Sequence, residues 1–287
     1  MRRVNRSPRA TRSLSSSSPP RDPEPPAGGR LLVDEPAPGV TRLTISNPAK
    51  RGALDHAILD SFTSTLAEID SRCVIITGEQ TTFSAGYDIG DLRGNGEFAD
   101  EADRLVANPF AAALDALEAY PYPTLAALNG HAIGGGLELA LACDLRIAAA
   151  TIALGMPPAK LGLIYSHTGI RKFIDTIGAP RTRELFLVGR RIDARTAREW
   201  GLVNAIAQDG RIAGEALELA TEIAANAPLA QQGNKRVIRA VLSAQGAIDP
   251  ETERELIELR RACFTSEDFC EGVRAFAEKR PPRWQGR

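Results

Sequence analysis

Apolar residues are spaced in two ways along this chain, and the alternation between them sets out its elements. LLV at Leu31–Val33 and GVTRLTIS at Gly39–Ser46 are runs of strand length, and the segment between them, with Pro36 and Pro38, predicts a hairpin. Leu54, Ile58, Leu59, Phe62, Leu66 and Ile69 then follow the 3.6-residue period of a helix. CVIITG, Cys73–Gly78, is apolar without alternation, as in a strand buried on both faces. A helical pattern covers Asp100–Ala119, kinked or restarted at Pro109 and ended by Pro121 and Pro123. TLAALNG (Thr124–Gly130), DLRIAAA (Asp144–Ala150) and IALGM (Ile152–Met156) predict further strands. From Thr168 onward the spacing is mainly helical, apart from GLVNAI at Gly201–Ile206. Alternating strands and helices followed by helices alone indicate an α/β fold, and no internal repeat is visible.

One stretch breaks the ordinary logic of a buried helix. In GHAIGGGLELALACD, Gly130–Asp144, three consecutive glycines precede LELALAC, which is apolar on every side and therefore suited to the interior. Its first turn nevertheless holds Glu138, and an ionised carboxylate is costly there unless it is paired or its pKa rises. Glycines allow close approach to the backbone, and the free N–H groups of a helix N-terminus attract negative charge. The combination predicts a buried site with backbone donors, where an oxyanion forms within reach of one carboxyl group.

Composition narrows the class. Hydrophobic residues at 43% and charged residues at 25% are ordinary for a globular protein, and no apolar run approaches the roughly 18 residues of a membrane span. Residues 1–30 hold seven Arg against two acids, a net of +5, so the other 28 basic and 34 acidic residues net −6. A mildly acidic body argues against nucleic-acid binding. Cys73, Cys143, Cys263 and Cys270 lack CxxC spacing and read as reduced thiols of a cytoplasmic protein, not a metal site. The first 29 residues, rich in Arg, Ser and Pro, cannot bury enough surface to offset their ordering entropy, so a disordered tail is expected there.

FSAGYDIGDL followed by GHAIGGGLELALACD resembles the crotonase, or enoyl-CoA hydratase/isomerase, superfamily. NPAKRGALD, PPAKLGL, GRRIDARTAREWGLVNAI and FTSEDFCEGVRAFAEKRPPRW agree with it, so the likeness runs from Leu31 to Trp284. It implies a spiral of ββα units over residues 30–224 and a C-terminal helical oligomerisation region over 225–287, in trimers or dimers of trimers. It further implies an acyl-CoA thioester whose carbonyl is polarised by the N–H groups of Tyr87 and Gly135. Coenzyme A, as part of the substrate and not a resident cofactor, is expected along Lys50, Arg51, Ala53, Ser84 and Ala85, with Phe276 and Lys279 contributing from an adjacent subunit.

The resemblance is incomplete where hydration chemistry needs it. A family hydratase uses two glutamates; the first matches Glu138, but the second position is occupied by Pro158, which has no ionisable group. PPAKLGLIY is instead similar to the methylmalonyl-CoA decarboxylase branch, in which a tyrosine at the Tyr165 position lies in the pocket. That branch has histidine where this chain has Tyr87. Decarboxylation of a malonyl-CoA-type substrate thus stands beside an atypical hydratase or isomerase and an acyl-CoA or C–C bond hydrolase, with a non-enzymatic RNA-binding or scaffold role as the competing class. His167 is a second candidate proton donor. His131 reads as a packed or tautomer-fixed ring, His56 as a surface residue, Asp88 and Asp91 as braces of a short helix, Asp144 as an anchor at a strand start, and Trp200 and Trp284 as packing residues. GHAIGGG lacks the GxGxxG spacing of a dinucleotide site.

Overall fold

The computed structural model describes residues 28–87, 109–244 and 250–285. Its frame is a six-stranded sheet in the order β1-β2-β3-β5-β7-β10. These strands are β1 (Arg30–Ala37), β2 (Val40–Ser46), β3 (Cys73–Gly78), β5 (Thr124–Leu128), β7 (Leu145–Ala149) and β10 (Ala205–Ala207). The hairpin expected around Pro36 and Pro38 is present as the antiparallel β1–β2 pair, and every other pairing in this sheet is parallel. A second sheet, ordered β4-β6-β8-β9, is built from β4 (Thr82–Ser84), β6 (His131–Ile133), β8 (Ala153–Gly155) and β9 (Arg191–Asp193).

The continuous apolar run of β3 has a direct explanation. Val74 and Ile76 face the main core, while Cys73 and Ile75 face a smaller one, and Ala126 and Leu128 against Leu125 and Ala127 divide β5 in the same way. The smaller core is closed by helix α6 (Ile212–Ala225) through Ala216, Ala220 and Ile223. The main core receives α1 (His56–Glu68), α2 (Ala111–Ala119), α3 (Gly135–Ala142) and α4 (His167–Arg183, bent at Gly178). Helix α1 starts where Asp55 accepts from Ile58 N at 3.0 Å, and Ser166 caps α4 through Gly169 N at 3.1 Å. Gly29, placed by composition in the tail, is buried and donates to Asp55 Oδ2 at 2.7 Å.

Helix α3 lies at the centre, and all its residues but Leu141 are buried. Its C-terminal carbonyls need partners that water cannot supply. Buried Arg146 provides them, donating to Cys143 O at 2.7 Å and Ala140 O at 3.4 Å, and also to Leu202 O at 2.8 Å. After α5 (Ala194–Glu199) and α6, the chain ends in α7 (Pro228–Ala244), α8 (Pro250–Phe264) and α9 (Glu267–Ala277). Helix α7 exposes Leu229, Val237, Ile238, Val241 and Leu242. Helices α8 and α9 pack over the 157–164 loop: Cys263 Sγ donates to Gly162 O at 3.0 Å, and Gly272 lies so close to Leu161 O that a Cβ there would be 2.3 Å away. Among the described residues no helix is long and apolar enough to cross a membrane.

The periodicity of Asp100–Ala119 is met from Pro109 onward, where a single wide turn at Pro109–Phe110 precedes α2; residues 100–108 lie outside the described residues, as do Asp88, Asp91 and residues 1–27 of the expected tail. GLVNAI contributes only its end to a strand, since β10 begins at Ala205. Strands β6 and β9 are three residues each, too short to show a period.

Candidate active site

Two turns meet at the C-terminal ends of β4 and β6. Leaving β4, Gly86 adopts φ +96°, open to glycine but strained for other residues. A Cβ at Gly86 would lie 2.8 Å from Ile133 O and 3.2 Å from Gly135 N, so the two segments touch through their backbones. Leu54 N donates to Gly86 O at 2.8 Å, and Leu54 and Tyr87 form a parallel bridge, which holds the turn from its other side. On the β6 side Gly134 has φ +57° and donates to Gly155 O at 2.9 Å, leaving Gly135 as the first residue of α3. Among the described residues neither Tyr87 N nor Gly135 N donates to another group of the chain. Two unengaged amides on adjoining turns, one at a helix N-terminus, form an arrangement able to receive developing negative charge.

The glycine triplet also serves the chain's own side chains. A Cβ at Gly135 would sit 3.1–3.3 Å from ring carbons of Tyr87, and one at Gly136 would sit 2.6 Å from Ser84 Cβ. The Tyr87 ring thus lies against the start of α3, with Phe110 edge-on at 4.7 Å between centroids. Only the direction from Gly134 is clear, with nothing within 4 Å.

Glu138, one turn into α3, is 2% exposed. Tyr165, from the loop before α4, donates its hydroxyl to Glu138 Oε2. The Tyr87 phenol lies beside Tyr165, which brings three polar groups together. Gly169 leaves room for this pair, because a Cβ there would meet Tyr165 Cε1 at 2.6 Å and Glu138 Oε1 at 2.7 Å. Phe186 packs edge-on against Tyr165 at 5.5 Å. Burial pushes the Glu138 carboxyl up to about 7, against the hydrogen bond from Tyr165 and the charges of Lys172 and Arg260, which pull it down. Burial, and then the nearby Glu138 charge, hold both phenols well above their usual range, so they remain neutral donors.

The other expected residues are spread over the surrounding elements. Lys50 and Arg51 are exposed on a turn beside Ala53, and Ala85 N donates to Arg51 O at 3.1 Å, so these two segments form one rim. Ser84 is fully buried and its Oγ accepts from Gly86 N at 3.1 Å, so its side chain braces the turn beneath that rim. Phe276 and Lys279 are exposed at the end of α9. Pro158 is buried. His167 lies beside Glu253 of α8, with Nε2 3.3 Å from Oε1; His131 accepts from Ala153 N at 2.9 Å, which fixes its tautomer; His56 is exposed. Asp144 accepts from Thr124 N at 2.7 Å and pairs with Lys235 at 2.7 Å. Trp200 packs on the core as expected, but Trp284 is 43% exposed, because the chain beyond α9 runs over the surface. A cleft of about 630 Å³ lies at the N-terminal ends of β4 and β6, away from the two amides, and Arg51 and His131 line it.

Sequence patterns gave no sign of Phe110, Phe186, Lys172 or Arg260, which reach this site from segments without a recognisable motif.

Residues 35–287 match the enoyl-CoA hydratase/isomerase family model. The chain is 34% identical over 257 residues to a probable enoyl-CoA hydratase of Mycobacterium leprae, covering 87% of this chain and 97% of that protein. It is 36% identical over 266 residues to a probable enoyl-CoA hydratase of Bacillus subtilis, covering 89% and 98%. Among solved structures, methylmalonyl-CoA decarboxylase in complex with 2-nitronate-propionyl-CoA superposes with a TM-score of 0.80 at 27% identity, over 90% of this chain and 99% of that one. Enoyl-CoA hydratase from Bacillus anthracis superposes with a TM-score of 0.71 at 32% identity, over 90% and 100%.

Proposed function

This chain belongs to the enoyl-CoA hydratase/isomerase family of acyl-CoA-processing enzymes, and from that premise we propose that it is a lyase that decarboxylates a malonyl-CoA-type thioester. The observation that carries this reading is the Tyr165–Glu138 hydrogen bond with the Tyr87 phenol beside it, which sets one carboxyl group and two phenols where water addition would call on two carboxyl groups.

The thioester carbonyl oxygen accepts from Tyr87 N and Gly135 N. The bond between Cα and the substrate carboxylate breaks, its electron pair passes into the thioester enolate, and CO₂ departs. Two preorganised donors in a site shielded from water lower the enolate by several kcal/mol. Once Glu138 is protonated it no longer requires the Tyr165 proton, and the phenols turn their hydroxyls to the leaving carboxylate and hold it out of the thioester plane, which aligns the breaking bond with the carbonyl π system. Protonated Glu138 then transfers its proton to Cα and gives the saturated acyl-CoA. A carboxyl titrating near 7 suits that transfer, since it is available as an acid close to neutral pH.

Coenzyme A enters as part of the substrate along the Lys50–Ala53 and Ser84–Ala85 rim, with the exposed Phe276 and Lys279 as further contacts; no resident cofactor or metal is needed. The apolar surface of α7 supports self-association as a trimer or dimer of trimers. The test is to supply methylmalonyl-CoA and crotonyl-CoA to the purified protein and follow CO₂ release and loss of enoyl absorbance. Decarboxylation without crotonyl-CoA hydration is expected; hydration that survives Glu138→Ala, or absence of CO₂ release, overturns the assignment.

A further inference from the structure

Helix α8, in the terminal helical region, is fastened over the Tyr165 loop at two points. Near its start Glu253 meets His167, and near its end Cys263 Sγ donates to Gly162 O. Arg260 lies between these anchors, seven residues after Glu253 and three before Cys263, a spacing that puts it on the same helix face. That face looks onto the loop from Gly162 to His167, which carries Tyr165. The guanidinium lies over the Phe264 ring with 5.5 Å to the centroid, which orients it without discharging it. Its charge acts on both Glu138 and Tyr87, so it faces the cluster those groups form with Tyr165.

Arg260 has an unmet requirement. Its Nε is buried without a hydrogen-bond partner, and among the described residues the guanidinium makes no ion pair. Arg72 also has a buried unpaired Nε, but its Nη2 donates to Asn226 O, so that side chain is committed elsewhere. A guanidinium presents a planar fork of donors that matches a carboxylate. Glu138, on which its charge acts, already engages Tyr165.

We infer that Arg260 is a substrate-binding residue that receives a carboxylate carried by the acyl group, so that the pocket selects acyl-CoA thioesters with a second, anionic end. This rests on the malonyl-type reading and extends it to a residue outside the two turns. Because that carboxylate leaves as neutral CO₂, the pairing is strongest before the bond breaks, and Arg260 contributes to substrate affinity and selection and not to the barrier of the chemical step.

The experiment compares two non-reacting ligands by calorimetry, a carboxypropyl thioether of coenzyme A and the corresponding propyl thioether. The native protein is expected to favour the carboxylated ligand at least tenfold, about 1.4 kcal/mol. Arg260→Gln should remove that preference while affinity for the propyl thioether changes less than about threefold, and Arg260→Lys should keep part of it. Equal binding of the two ligands by the native protein, or a preference that survives in Arg260→Gln, overturns the assignment; the native comparison decides even if the glutamine variant does not fold. CO₂ release is measured separately. Its absence alongside an Arg260-dependent preference refutes decarboxylation and leaves the carboxylate site standing.

Discussion

Replacing Tyr165 by phenylalanine removes one oxygen from the centre of the site and keeps the ring that packs on Phe186. Glu138 then loses the hydroxyl that donates to its Oε2 while remaining as deeply buried. A hydrogen bond to a charged group contributes about 1.5–3 kcal/mol, and about 1.4 kcal/mol corresponds to one pH unit. The Glu138 carboxyl, now near 7, should therefore rise by about one to two units. If the protonated form delivers the proton to Cα as proposed, activity is present below this pKa and is lost as pH rises through it. In the variant the falling limb of the pH–rate profile moves to higher pH by that interval. The plateau at lower pH should also drop at least tenfold, about 1.4 kcal/mol, from loss of the hydroxyl that orients the substrate carboxylate. Steady-state CO₂ release measured from pH 5 to 10 reads both effects. A limb at the same pH in both proteins would show that Tyr165 does not govern Glu138, and an unchanged plateau would remove the hydroxyl from the mechanism.

Two further consequences are open to measurement. Gly169→Ala places a methyl 2.6 Å from Tyr165 Cε1 and 2.7 Å from Glu138 Oε1, so it should force the pair apart and cost about 1–3 kcal/mol of stability along with most activity; a native thermal midpoint with native turnover would contradict that crowding. Glu138 should also make stability depend on pH. Its native value of about 7 lies above the ordinary value near 4.5, so between these pH values the native state keeps a proton that the unfolded chain has released, and stability falls as pH rises. The loss is about 3 kcal/mol, complete above pH 7 and absent below about 4.5. Urea denaturation of Glu138→Gln beside the native protein should show a gap that changes by that amount in favour of the variant between pH 4.5 and 8; a constant gap would mean that the carboxyl titrates normally.

Local sequence determined much of this molecule. Strand β3 could be read as doubly buried because its four leading residues are all apolar, and α1 could be read from six apolar positions that keep a 3.6-residue period, since these patterns arise from which face each residue turns to the interior. The glycine triplet and Glu138 marked the centre for a similar reason: a carboxylate inside an apolar helix, after residues without side chains, conflicts with ordinary packing, and such conflicts stand out in one dimension. Pro158, at the position where the resemblance implies a second glutamate, likewise argued by its identity against two-carboxylate hydration.

Tertiary structure decided what those marked residues meet. Gly86 and Gly135 are 49 positions apart, yet one backbone lies against the other. The glycines turned out to make space for Tyr87 and Ser84 of the same chain, which their composition could not reveal, since a small residue shows that something comes close and not what it is. Tyr87 joined Tyr165 and Glu138 only because three separate segments converge. Arg260, in a helix of mostly polar sequence, acquired its significance from the two anchors that press that helix onto the Tyr165 loop. Spacing records which side of an element is buried, because that is a property of each residue and its near neighbours; the partner across the interface is set by how distant segments pack, and no local pattern encodes it.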